Sequence, residues 1–338
     1  MEINKNCWIV HKFGGTSVGS VEAIRQVLEI LESQKAGRLA VVVSAMSGVT
    51  DRLIKVASGA AEQNSSYQTE LDQLFEKHKV AAASLLNNSS LNNSYVEELH
   101  SDIKDLKEIL RGVWLSRHLP ESTLEMVSGY GELWSSRLLA ALWKTKNPQV
   151  EWIDARKILV VESGETGPLL QWSESQKKLD ERCAQSPSSF FVITGFIAST
   201  PKGVPTTLKR NGSDFSASIF GRLFKSKEIV IWTDVDGVYS ADPRKVPEAE
   251  CLAEISYEEA IELAYFGAKV IHPHTMGPAV TLNIPILIKN TFQPSKPGTY
   301  IHQVKKHKDG RIRIGYQTTK IAKKSNSNTT GTSGQSQP

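Results

Sequence analysis

The sequence is poor in cysteine. Cys7, Cys183 and Cys251 are the only three in 338 residues, odd in number and widely separated. That excludes a disulfide framework and a thiolate metal centre, and the thiols suit a reducing compartment. No apolar run approaches the roughly 20 residues that span a bilayer. Residues 1–6, Met-Glu-Ile-Asn-Lys-Asn, lack the apolar core of a secretion signal. The expectation is a cytoplasmic protein without membrane contact. No Walker A order is present, and no nucleic-acid-binding fingerprint, so neither nucleic-acid binding nor a P-loop is expected.

The formal charge of +4 is concentrated at one end. From Gln303 onward there are eight basic residues and one acid, and removing them leaves 32 basic against 35 acidic, or −3. The hydrophobic share of 40% is that of an ordinary globular protein, and the length suits one large domain or two lobes.

Chemistry gathers first at Ile9-Val10-His11-Lys12-Phe13-Gly14-Gly15-Thr16-Ser17-Val18-Gly19. An apolar strand ends on a lysine, glycines follow, and a helical pattern opens at Val21. Glycine lets backbone N–H groups approach an anion, and the N-terminus of the following helix adds partial positive charge. The alternative is a tight turn carrying a surface lysine. Leu39 to Val43 is a run suited to a strand buried on both faces, completing a β–α–β unit. It runs into the small-residue loop Ser44 to Asp51, and ligands of open α/β sheets sit at that edge.

Residues from about 67 to 119 read as a helical insertion covering part of the site, interrupted by a polar loop over 87–94. Ser122-Thr123-Leu124-Glu125 has capping-box spacing. Gly129 and Gly131 near the start of the next helix predict close backbone approach, with Glu132 beside them either as a surface acid or as a ligand group. Strands are expected at 150–153, 158–161 and 190–198. A turn-rich hairpin over 201–207 marks the lobe boundary. Arg210-Asn211-Gly212-Ser213-Asp214 reads as an anion site, or as a plain N-cap at Ser213 and Asp214. Glu228 to Thr233 is a strand closing on Thr233-Asp234. Ser256 to Glu259 is a second capping box, 283–288 an inner strand, and 298–301 and 311–314 edge strands. The Ser/Asn/Thr-rich stretch from 323 predicts disorder.

Four stretches taken together carry a family resemblance: Lys12-Phe13-Gly14-Gly15-Thr16-Ser17; Arg210 to Asp214; Trp232 to Tyr239 with Asp242-Pro243-Arg244; and Phe266 to Pro273. From about Trp8 to Ile301 the chain resembles the aspartate kinases of the amino-acid kinase superfamily. It is most similar to the kinase portion of bifunctional aspartokinase–homoserine dehydrogenases. The resemblance implies an α/β fold: a three-layer α/β/α sandwich with a mainly parallel central sheet and two lobes. Residues 1–205 would form an aspartate-binding lobe and 206–302 an ATP-binding lobe, with a basic segment at 303–322 and a disordered tail at 323–338.

The implied reaction moves the ATP γ-phosphoryl group to the side-chain carboxylate of L-aspartate, giving 4-phospho-L-aspartate, with Mg2+ expected. This step leads toward lysine, threonine and methionine. By the same resemblance Lys12 and Asp214 are catalytic, and Ser44, Thr50, Glu132, Phe196, Arg210 and Ser213 bind substrate. Lys12, Gly14, Gly15, Thr233, Asp234, Tyr239, Arg244 and Lys269 bind ATP, and no metal ligand is named. Lys209 departs from the pattern by standing where glycine commonly precedes the arginine, and His274 stands where arginine is frequent. The family continues into paired ACT domains, and the 37 residues after Ile301 are too few for one. The expectation is therefore a kinase without a fused feedback sensor, leaving open a homo-oligomer or a separate regulatory partner. The alternatives are a related kinase acting on another acidic substrate and a non-catalytic subunit of the same fold.

Overall fold

Leu39 to Val43 occupy the middle of the molecule, each at most 1% exposed, as a strand covered on both faces must be. A computed structural model of the chain describes residues 7–303 apart from 35–36, 88–89, 166, 187 and 266–271. Lys269, the 311–314 strand and the tail from 323 lie outside the described residues.

The strands are β1 (Trp8–Phe13), β2 (Arg38–Val43), β3 (Val150–Ile153), β4 (Val161–Gly164), β5 (Gly167–Leu170), β6 (Phe190–Thr194), β7 (Ile197–Ser199), β8 (Pro205–Thr207), β9 (Glu228–Thr233), β10 (Glu254–Ser256), β11 (Ile286–Asn290) and β12 (Thr299–His302). The helices are α1 (Val21–Glu32), α2 (Val49–Ala61), α3 (Ser66–Leu86), α4 (Ser90–Ser116), α5 (Glu121–Ser128), α6 (Tyr130–Lys144), α7 (Trp172–Ala184), α8 (Gly212–Leu223), α9 (Tyr257–Tyr265) and α10 (Pro273–Thr281).

Eight strands form one sheet in the order β10-β12-β11-β9-β1-β2-β6-β3. Its pairs are parallel except for β11 with β12. The Thr299 to His302 strand is therefore interior rather than an edge, with the three-residue β10 outside it. β1 sits between β2 and β9, with Lys12 opposite Val42 and Ile231. Side chains alternate between the faces. His11 faces the layer of α1, where Ser20 caps the first turn by accepting from the Ala23 N–H at 3.2 Å. Lys12 faces α8 on the other side, and helices on both faces complete a three-layer sandwich. Among the described residues no helix is long and apolar enough to cross a membrane.

The helical insertion is present but differs in place and detail. Asn92 and Ser94 lie within α4, so the polar break is shorter than the composition indicates. Buried Leu71, Leu74, Leu99, Leu106 and Leu110 turn α3 and α4 toward each other and toward α2 and α6. Asp102 of α4 accepts from Trp134 Nε1 at 3.0 Å and pairs with Arg137, which braces α6 from behind. The insertion supports the site, and Lys77 of α3 reaches the β2–α2 loop, donating to the Ser47 carbonyl at 3.2 Å.

Other local readings also shift. α5 begins at Glu121 with Pro120 in extended conformation at its N-cap, so Ser122 lies inside the helix and caps nothing. Gly129 separates α5 from α6. Residues 155–157 form a 3₁₀ turn, and Gly167 and Pro168 belong to a β4–β5 hairpin. The second capping box forms as expected: Glu259 N–H donates to Ser256 Oγ at 3.0 Å and Ser256 N–H to Glu259 Oε2 at 2.7 Å. The 201–207 stretch closes the β7–β8 hairpin.

Candidate active site

Lys12, the penultimate residue of β1, is buried at 9% exposure. Its Nζ lies 2.6 Å from Asp214 Oδ1 in the first turn of α8. This is a partly desolvated ion pair, and removing either partner strands the other charge. The backbone beside it is held closely. Gly14 N–H donates to the Trp232 carbonyl at 3.3 Å. A Cβ on Gly15 would stand 3.0 Å from the Ala45 carbonyl oxygen. The cradle therefore joins three adjacent strand ends, β2, β1 and β9.

A cavity of about 460 Å³ opens there, lined by Lys12, Gly14, Gly15, Thr16, Ser44, Thr50, Glu132, Asp214, Thr233 and Asp234. α1 contributes nothing to its lining, because four turn residues separate Thr16 from Val21. The helix end that faces the cavity is that of α2, through Ser47, Gly48, Thr50 and Asp51. Its N-cap is Gly48, at φ 75°, with no side-chain cap. Val49 N–H is taken by the Met46 carbonyl at 3.0 Å, while no side chain caps the N–H groups of Thr50 and Asp51 behind it, the arrangement that favours anions. Glycine is required there by the left-handed backbone.

A second cavity of about 600 Å³ adjoins the first and shares Lys12, Ser44, Thr50, Asp51, Glu132 and Asp214 with it. Glu132 is placed by two close approaches. A Cβ on Gly129 would lie 2.6 Å from Ile197 Cγ2, and one on Gly131 would lie 2.7 Å from Ala45 Cβ. These glycines let α6 press against the β2–α2 loop and β7. Glu132 is 3% exposed. Burial pushes its carboxyl up to about 8, although the Ala45 N–H and its own N–H donate to it. Its Oε2 has no partner among the described residues. A buried acid in this state calls for a cation.

The opposite wall is the segment from β8 into α8. Phe196, Arg210 and Ser213 all line this cavity. The Phe196 ring packs on Gly212, where a Cβ would stand 2.6 Å from Phe196 Cδ2. The N-cap of α8 is Asn211, not Ser213 or Asp214, and its side chain does not cap. Arg210 is exposed and makes no ion pair among the described residues. A cationic fork therefore faces a cavity that also holds a buried carboxyl, one whose ionised form a cationic ligand group would stabilise.

On the nucleotide side the expected residues separate. Thr233 and Asp234 line the smaller cavity, with Thr233 Oγ1 donating to Asp234 Oδ1 at 3.2 Å. Tyr239 and Arg244 line neither cavity. Tyr239 donates to Asp236 at 3.2 Å, and Arg244 pairs with Asp242 at 3.0 Å. Among the described residues no group of three or more His, Cys, Asp or Glu is placed to hold a metal.

The comparison with known proteins agrees with this geometry. The profile of the amino acid kinase family matches residues 8–290. The chain belongs to the amino acid kinase family. Within that family it is 46% identical over 299 residues to bifunctional aspartokinase/homoserine dehydrogenase 2, chloroplastic, of Arabidopsis thaliana, across 88% of this chain and 32% of that protein. It is 33% identical to the aspartokinase of Schizosaccharomyces pombe, across 87% of this chain and 58% of that protein. The chain thus spans about a third of the length of the plant relative. Among solved structures, E. coli aspartokinase III in complex with lysine and aspartate matches with a TM-score of 0.76 at 30% identity, over 87% of this chain and 64% of that one. The same enzyme with aspartate and ADP matches with a TM-score of 0.76 at 29% identity, over equal shares.

Sequence reasoning missed several lining residues of this amino acid kinase. Asp51 and Ser47 stand in a loop already singled out, and their position at the start of α2, Asp51 in its first turn and Ser47 just before its N-cap, is the available signal. Glu125 and Lys209 were missed for a different reason. Glu125 was assigned to a helix cap, whereas it accepts from Thr206 Oγ1 and pairs with Lys209 across the cavity mouth. The network of Asp236, Asn290 and Lys296, with contacts of 2.7 and 2.6 Å, joins residues about 60 positions apart and has no local signature.

Proposed function

We propose that the chain is the catalytic part of an aspartate kinase, moving the γ-phosphoryl group of ATP to the side-chain carboxylate of L-aspartate to give 4-phospho-L-aspartate. One observation carries the reading: Glu132, buried and with an unpartnered oxygen, shares a cavity with the unpaired Arg210 and with Lys12. That set matches an α-amino dicarboxylate, with its ammonium on Glu132, a carboxylate on Arg210 and the other carboxylate turned toward Lys12. Ser44, Thr50, Phe196 and Ser213 complete the walls on this side.

The nucleotide occupies the smaller cavity, over Gly14 and Gly15 and against Thr233 and Asp234. Tyr239, Arg244 and Lys269 are assigned to its outer contacts. The E. coli neighbour is a complex with aspartate and ADP. In lobe terms, residues 1–205 supply most of the lining of both cavities, and 206–302 add Asp214, Ile231, Thr233 and Asp234 to the donor side. The acceptor cavity nonetheless draws Arg210, Ser213 and Asp214 from the second lobe.

The chemistry follows from the residues. A carboxylate acceptor is already ionised at neutral pH, so no general base is required, and among the described residues no histidine lines either cavity. What remains is in-line positioning and neutralisation of charge on the moving group. Lys12 lines both cavities and so stands where the phosphoryl group crosses. Asp214 holds the lysine ammonium in place at 2.6 Å. Mg2+ in such sites is bound through one or two carboxylates together with substrate phosphates, which fits the lack of a protein cage. Of the four carboxyl groups lining the smaller cavity, Asp51, Glu132, Asp214 and Asp234, the last two would hold it, and the ion would supply charge neutralisation.

The test is ATP-dependent acyl-phosphate formation, trapped with hydroxylamine, on L-aspartate, L-glutamate and N-acetyl-L-glutamate. Turnover on L-aspartate is expected. Preference for N-acetyl-L-glutamate would reassign the acceptor, and activity on none of the three would overturn the kinase reading.

A further inference from the structure

Three residues around the acceptor cavity hold a left-handed backbone without being glycine: Phe196 at φ 64°, Lys209 at φ 60° and Asn211 at φ 54°. Asparagine tolerates this conformation through its short amide, but lysine gains nothing from it locally. A strained residue persists only where its surroundings over-determine it. For Lys209 the determining contacts are visible. Its Nζ lies 2.6 Å from Glu121 Oε1 and also pairs with Glu125, one turn along α5. The Glu121 side chain is 78% exposed, so that arm is screened by solvent, whereas Glu125 is 15% exposed. Glu125 takes a second bond from the same segment, from Thr206 Oγ1. The segment running from β8 into α8 is therefore tied to α5 at the residue immediately before Arg210.

We propose that Lys209 is a positioning residue for acceptor recognition: it staples this segment to α5 through Glu125 and so holds the Arg210 guanidinium at a fixed span from Glu132. The inference rests on the aspartate kinase reading, which makes that span the one measuring the acceptor. α5 and α6 are joined only by Gly129, and α6 carries Glu132. The staple therefore ties the two charged ends of the acceptor pocket into one rigid unit. Lys209 touches neither reacting group.

Steady-state kinetics on the chain test this, with wild type as reference. Lys209→Met is expected to raise the KM for L-aspartate about tenfold, with kcat and the ATP KM held within about threefold, while Lys209→Arg keeps the KM near wild type. Lys209→Gly removes the backbone strain, so it should melt no lower than wild type yet share the raised KM. The decisive variant is Glu125→Gln. If Lys209 acted only by attracting an anionic acceptor, removing a nearby negative charge would lower the KM. Loss of the staple raises it. A lowered KM in Glu125→Gln, or an unchanged KM in Lys209→Met, overturns the proposal. A wild-type chain inactive on L-aspartate would instead overturn the functional reading beneath it.

Discussion

The two banks of the cleft are built on opposite terms. On the acceptor bank the decisive charge, Glu132, is buried at 3% exposure with one oxygen unpartnered. On the nucleotide bank, Arg244 has a side chain 86% exposed and already paired with Asp242. Tyr239 is likewise bonded to Asp236. A buried, unmet charge is a standing requirement that only the right ligand satisfies, so its removal is severe. An exposed, paired charge must exchange one partner for another, so its net contribution is small. Lys12 lines both cavities, as Glu132 does, but as a cation held by Asp214 it serves the step between the two banks.

The largest effect is expected there. Lys12→Ala should lower kcat by at least ~10², as loss of a preorganised charge-stabilising donor does, measured by steady-state turnover at saturating substrates. Near-wild-type turnover would remove the junction from the account. Next is Glu132→Gln, expected to raise the L-aspartate KM by about 10² while leaving the ATP KM in place.

The same residue predicts a pH signature. An ammonium ligand binds the ionised carboxylate, and burial holds the empty site's carboxyl at about 8. Affinity for L-aspartate should therefore climb from pH 6 toward 8 and level off above, with proton uptake by the buffer on binding below that range. Calorimetry in buffers of different ionisation enthalpy reads this directly, and the slope should vanish in Glu132→Gln. Arg244→Ala should be milder, raising the ATP KM by about twofold to fivefold without moving the L-aspartate KM. An effect on ATP as large as that of Glu132→Gln on aspartate would erase the contrast between the banks.

The smallest test concerns the support behind the cleft. Ser256→Ala loses a formed capping box, about 1 kcal/mol, whereas Ser122→Ala should leave the melting temperature unchanged.

That last pair also shows where sequence is legible. Ser122 and Ser256 carry the same spacing to a glutamate, but with Pro120 at its N-cap α5 starts two residues early, and Glu125 is drawn across the cavity to Lys209. A local pattern cannot register a long-range competitor for its own side chain. The same limit hid β10, whose three residues are too short for periodicity, and the interior place of β12. The insertion was recognised as helical, but the direction of its apolar faces depends on partners elsewhere in the chain. By contrast β2 was evident, because a run buried on both faces is written in consecutive apolar residues. Lys12, Arg210 and Asp214 are evident as motif members, and Glu132 only through what the resemblance implies. Their convergence on adjoining cavities, with Lys12 and Asp214 in contact, required the fold.

The central claim is that the buried Glu132 reads the acceptor's ammonium. Its most direct measurement compares kcat/KM for L-aspartate and N-acetyl-L-aspartate in wild type and in Glu132→Gln. The account predicts a preference for L-aspartate of at least ~10³ in wild type, collapsing toward ~10 in the variant, as for other sites whose buried polar groups lose their partner. Equal use of the two acceptors by the wild type, or an undiminished preference in Glu132→Gln, would contradict it.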